Sequence, residues 1–217
     1  MAPRRNGPGP QQIFRLCDLA AVTARLIRAR WLVGALVLAA TALAVRVGGV
    51  PLPQGALYGT AGAILLYNAA LFWRLRQPVQ RGSAPALNGL PRLVAAQAVA
   101  DWLALSLLVH LTGGITSPLI PLLLAYVLLL AGALPAPAGW LAAGAAKGGL
   151  AAVAALERSG GLPHVSAIPG LPPDLYRAGA FVWLGVGLFG LAVALVVLLA
   201  GGPARGAPGR GERPPGV

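Results

Sequence analysis

The run Asp101-Trp102-Leu103-Ala104-Leu105-Ser106-Leu107-Leu108-Val109-His110-Leu111-Thr112-Gly113-Gly114-Ile115-Thr116-Ser117-Pro118-Leu119 decides how this chain is read. An acid lies inside an apolar stretch, a histidine ends that stretch, and a glycine-polar-proline turn leads straight into another apolar run. A helix needs roughly 20 apolar residues to cross the hydrocarbon core of a bilayer. A turn this short makes the two runs antiparallel. The stretch therefore reads as a helical hairpin of a polytopic membrane protein, with its turn at one membrane face.

The rest of the chain supports that reading. Of 217 residues, 57% are hydrophobic and 10% charged, whereas soluble domains carry about 25% charged residues. The short alternating segments of a membrane β-barrel are not seen. Apolar runs at 31–50, 55–73, 93–111, 119–134, 138–156 and 178–200 predict an all-α fold, a bundle of six membrane helices. A basic lead-in occupies 1–30. Within it Ile13, Phe14, Leu16, Leu19, Val22, Leu26 and Ile27 recur at roughly helical spacing, which predicts a short helix on the cytoplasmic membrane face. Ala42-Leu43-Ala44 resembles a signal-peptide cleavage site, but the long lead and the later apolar runs favour an uncleaved first helix. Gly55-x-x-x-Gly59 and Gly144-x-x-x-Gly148 predict close helix packing, with the fifth helix set among the others. The tail at 201–217 is Gly, Pro and Arg without helical periodicity and is expected to be disordered.

A net charge of +12 would suit a nucleic-acid binder if the cations formed one stripe, but here they flank the apolar runs. No nucleic-acid partner is expected; the lipid bilayer is. Arg4, Arg5, Arg15, Arg25, Arg28 and Arg30, the loop cations Arg74, Arg76, Arg81 and Arg92, and the tail cations Arg205, Arg210 and Arg213 all fall on one side of a six-helix layout. Only Arg158 and Arg177 fall in loops on the other. The positive-inside rule then puts both termini in the cytoplasm of a bacterial inner membrane. The lone Cys17 excludes an intrachain disulfide and a multi-cysteine metal site, and no metal or catalytic residue is predicted.

Two groups of residues carry chemistry. Asp101 and Lys147 lie near the middle of the third and fifth runs, where an ionised group costs at least ~2.5–3.5 kcal/mol unless it is paired or wet. Their matching depth predicts an ion pair, with Gln97 one turn away as a further hydrogen-bonding group. Its role is either to fix helix register or to relay protons. His110, nine residues beyond Asp101, falls on the opposite helix face about 13 Å further along the axis, so it belongs with the turn. There Gly113 and Gly114 can end the third helix, and Ser117 and Pro118 suit the cap and first position of the fourth. Free backbone N–H groups at that helix start would face the outer interface. His110, Thr112, Gly113, Gly114, Thr116, Ser117 and Pro118 are thus the candidate ligand-binding set, for a carbonyl or anionic head group on an apolar body; the alternative is simply a well-capped turn.

Tyr67-Asn68, the basic loop after it, Asp101, and His110 through Pro118 together resemble the six-helix N-terminal sensor region of bacterial sensor histidine kinases. Leu162-Pro163-His164 before the last run fits the same pattern. The likeness spans 31–200, and Thr-Gly-Gly-x-x-Ser-Pro is its most specific part. A related group, the redox-responsive kinases, carries Gly-Gly-x-x-Asn-Pro-Phe in the loop implicated in quinone sensing. Gly113, Gly114 and Pro118 match it, while Ser117 and Leu119 replace the amide and the aromatic ring. The resemblance implies a homodimer, a quinone as possible ligand, and a separate kinase or transmitter as partner. No phosphoaccepting histidine or nucleotide motif follows residue 200, so kinase activity is not expected of this chain. Two functions stay open: a sensory input module of two-component signal transduction, detecting a small apolar or amphipathic signal at the 112–118 turn, and a small ion- or proton-coupled transporter using Asp101 and Lys147.

Overall fold

The computed structural model describes residues 10–81, 90–134 and 136–200. Six α-helices follow one another: α1 (Pro10–Arg46), α2 (Gln54–Arg81), α3 (Leu90–Leu111), α4 (Ile120–Ala133), α5 (Ala136–Ser159) and α6 (Gly179–Ala200). A 3-10 turn, Gly114–Thr116, precedes α4 and another, Leu175–Arg177, precedes α6. Among the described residues there is no strand. Five helices are long and apolar enough to cross a membrane, and α4 is a shorter apolar helix. The expectations for residues 1–9 and 201–217 lie outside the described residues.

The largest departure from the sequence reading is in α1. No separate interfacial helix precedes the first span; one helix of 37 residues runs from Pro10 through Arg46. Nothing between Gln11 and Arg46 breaks a helix except Gly34, and an isolated glycine costs only about 1 kcal/mol. The apolar part of α1 begins at Thr23, which takes Arg30 inside it. At the far end, α4 has only 14 residues. It starts later than expected because Gly114, Ile115 and Thr116 form their own turn first.

Helix α3 is the shared strut. On one side Leu108 and Leu111 pack with Val37 of α1 and Leu57, Ala61 and Ile64 of α2. On the other, Leu105 and Val109 join Val127 of α4, Leu150 of α5 and Val186 and Phe189 of α6. Small residues let backbones approach where this matters. A Cβ on Gly149 of α5 would lie 2.7 Å from Trp102 Cζ2 of α3, and Trp102 Nε1 donates to the Ala145 carbonyl at 2.8 Å.

The two Gly-x-x-x-Gly faces are not used within the chain. Around Gly55, Gly59, Gly144 and Gly148 no atom would meet an added Cβ within 4 Å. Helix α5 instead turns Ala143, Ala146, Leu150 and Ala154 inward. Leu32, Leu66, Leu141, Leu191 and Leu199 point outward and are exposed. Apolar surface this continuous is foreign to a water-facing monomer. It belongs to a membrane-embedded protein.

Candidate functional site

Asp101 is buried, and its partner is Arg30. The guanidinium grips the carboxylate with two bonds, Nε to Oδ1 at 2.7 Å and Nη2 to Oδ2 at 2.6 Å. Such a forked pair is among the strongest charge-assisted contacts available to arginine. Gln97 Oε1 accepts from Nη1 and Nη2 at 3.2 Å. The Tyr67 hydroxyl donates to Oδ1, and the Tyr126 hydroxyl donates to Oδ2 at 3.0 Å. The cluster thus joins α1, α2, α3 and α4 around one carboxylate. Removing two charges from water is repaid only when their remaining hydrogen-bonding capacity is filled. Here Asp101 accepts four hydrogen bonds. One turn before Arg30, Asn68 Nδ2 donates to the Ile27 carbonyl at 3.0 Å.

The expected Asp101–Lys147 pair is therefore corrected. Lys147 is exposed and lies across α6, where a Cβ on Gly190 would come within 2.8 Å of its Cδ. Helical phase explains the error. Successive residues point about 100° apart, and it is Trp102, the neighbour of Asp101, that faces α5. Asp101 is turned away from it, toward α1. Matching depth alone cannot choose a partner.

The C-terminal end of α3 carries a second buried cluster. Glu157, in the last turn of α5, is 2% exposed. His110 Nδ1 lies 2.7 Å from its Oε1, and His164 Nδ1 lies 2.7 Å from its Oε2. A carboxylate accepts, which assigns Nδ1–H to both rings. His164 stacks on Tyr176 with centroids 3.9 Å apart, and the Arg177 guanidinium lies 5.3 Å from the Tyr176 ring centre. Gly114, at φ 55°, covers the carboxylate so closely that a Cβ there would overlap Glu157. His110 and the turn do belong together, but the residue that unites them, Glu157, has no motif around it.

The turn itself is closed. Thr112 Oγ1 donates to the Leu108 carbonyl at 2.6 Å and sits 2.5 Å from Ser117 Oγ. The amides of Thr116 and Ser117 bond to the carbonyls of Gly113 and Gly114. Ser117 Oγ accepts from the Leu119 amide at 3.1 Å, a capping contact, although Leu119 is the cap position and Pro121, not Pro118, stands in the first turn of α4. Thr112, Gly113, Gly114 and Ser117 are buried, and Pro118 is exposed. The free amides expected at the interface are in large part bonded within the turn.

The open space lies elsewhere. A cavity of about 130 Å³ sits against the Arg30–Asp101 cluster, between Ala29 and Val33 of α1, Ala104 of α3, and Ala125 and Leu129 of α4. Among the described residues no group of three His, Cys, Asp or Glu side chains is placed to hold a metal ion. Compared with known proteins, the chain matches no protein-family model, and no curated protein or solved structure matches it either.

Proposed function

We propose that this chain is a membrane-embedded sensory input module in which α3 couples the outer end of the bundle to its interior. The observation that supports this is the pair of buried ionic clusters on that one helix. Asp101 engages α1, α2 and α4, and His110 engages α5 nine residues later. Nine residues are about 13 Å of helix. A ligand or field that loosens one socket shifts the strut that carries the other. Bistable packing of this kind is how small local changes become global ones. In this reading α4 is one of six spans, both termini are cytoplasmic, and the output passes to a separate transmitter kinase through a dimer of the chain.

The test uses the full chain in its own host. Phosphorylation of response regulators is compared between wild type, a deletion strain and Asp101→Asn, before and after benzyl alcohol is added to disorder the membrane. A regulator whose phosphorylation responds in wild type, fails to respond in the deletion and is locked at one level in Asp101→Asn is the expected result. If no regulator depends on the chain, the proposal is wrong.

A further inference from the structure

We propose that the cavity between α1 and α4 is a binding site for a hydrocarbon chain that enters sideways from the bilayer, supplied by a phospholipid acyl chain or an isoprenoid. The proposal does not depend on the sensing role.

Size comes first. The cavity holds about 130 Å³, close to the ~150 Å³ apolar cavity known to take up benzene. Small side chains make the room: Ala29, Ala104 and Ala125 each present a single methyl where the helices around them are rich in leucine.

The chemistry of the wall then selects the guest. The polar groups that border the space are all turned toward each other. Arg30 gives its Nε, Nη1 and Nη2 to Asp101 and Gln97, while Tyr67 and Tyr126 give their hydroxyls to Asp101. A buried water needs two to four polar partners, and a charged head group needs a free countercharge. The wall offers neither. What remains is methyl and methylene surface.

Position supplies the route. Leu26 of α1, which lines the cavity, packs with Leu130 of α4. Toward the start of α4, Leu119 packs with the Val37–Leu57–Leu108 core. Between these two contacts the cavity is partly open, on helices whose outer faces are apolar. A chain lying there would keep water from the Arg30–Asp101 pair and hold α1 and α4 apart.

The experiment uses the full chain in phosphatidylcholine nanodiscs. One arm carries traces of a phospholipid with a diazirine at the acyl terminus, the other a diazirine-bearing polyprenol. After illumination, adducts are mapped by peptide mass spectrometry. In at least one arm, labelling at residues 29–33 and 125–129 should exceed that at the outward-facing Leu191 and Leu199. The arm that labels identifies the source, and labelling in both assigns a site that accepts either chain. Ala125→Phe, which fills the space, should abolish the cavity adducts and leave those at Leu191 and Leu199 unchanged; Ala29→Leu serves if the larger ring prevents folding. Cavity labelling no greater than that of the outer leucines, or labelling that persists in the filled variants, overturns the proposal.

Discussion

The sharpest prediction concerns Asp101 and Arg30, because the structure says what each single change leaves behind. Asp101→Ala leaves a guanidinium with only Gln97 Oε1 to bind and deprives the Tyr67 and Tyr126 hydroxyls of their carboxylate. Arg30→Met leaves the carboxylate with two hydroxyl donors and no countercharge. Both side chains are only 6% exposed, so water does little to relieve either loss. Breaking a buried pair by removing one partner typically costs about 3–5 kcal/mol, while replacing both with apolar groups of similar volume is close to neutral. Each single variant should therefore lose about 4 kcal/mol, and Arg30→Met/Asp101→Leu should lose far less than the sum. Unfolding of the full chain by sodium dodecyl sulfate in mixed micelles, followed by near-ultraviolet circular dichroism, measures the four corners of that cycle. Neighbouring groups normally show coupling of about 0.5–3 kcal/mol; two single losses of about 4 kcal/mol set against a double loss smaller than either put this pair above that range. Lys147→Met is the control: paired with Asp101→Leu it should be additive. If the Lys147 cycle couples and the Arg30 cycle does not, the Arg30–Asp101 pairing is refuted.

Three further outcomes follow from the geometry. Glu157→Gln can still accept one imidazole N–H but not two, so one histidine loses its partner at a cost of about 1–3 kcal/mol; limited proteolysis should then cut the 160–174 loop faster. Gly114→Ala must adopt a left-handed conformation, worth about 1–2 kcal/mol, and also displace the Glu157 carboxylate, so denaturation should show a larger loss than at Gly49, whose φ is 60° but whose surroundings are open. Gly148 is exposed and a Cβ there meets nothing within 4 Å, so Gly148→Leu should leave the packing of the monomer intact; if cross-linking shows a dimer that this substitution dissolves, the outward glycine face is its contact.

How much of this was legible from the residues depends on whether the signal was local. The glycine pair at 113–114 was readable because a short turn between apolar runs demands unusual backbone, and both residues do have positive φ. The helical hairpins were readable from the length of the apolar runs. Arg30 was not, because an arginine just before an apolar run looks like the cation that ends a span. Only the continuity of α1 reveals that it lies inside. Tyr126 carries no local signal beyond being an aromatic in an apolar run. Glu157 was hidden for a different reason: His110 and His164 are 47 and 7 residues from it, and the first lies on another helix while the second lies in the loop beyond α5. Asn68 joins two helices through a backbone carbonyl of α1, which no side-chain pattern encodes.

The brevity of α4 has a consequence for the lipid around the protein. Fourteen residues rise about 21 Å, some 9 Å less than the ~30 Å hydrocarbon thickness of an average bilayer. The 112–118 segment can make up part of that shortfall, since irregular backbone is tolerated at membrane depth only when it is covered by protein, and most of this segment is. With α4 as one of the six spans proposed above, the bilayer along its perimeter would thin or its chains would tilt inward. The lipids most deformed by this protein would then be those beside α4. A membrane of different thickness would act on the molecule at that edge before any other.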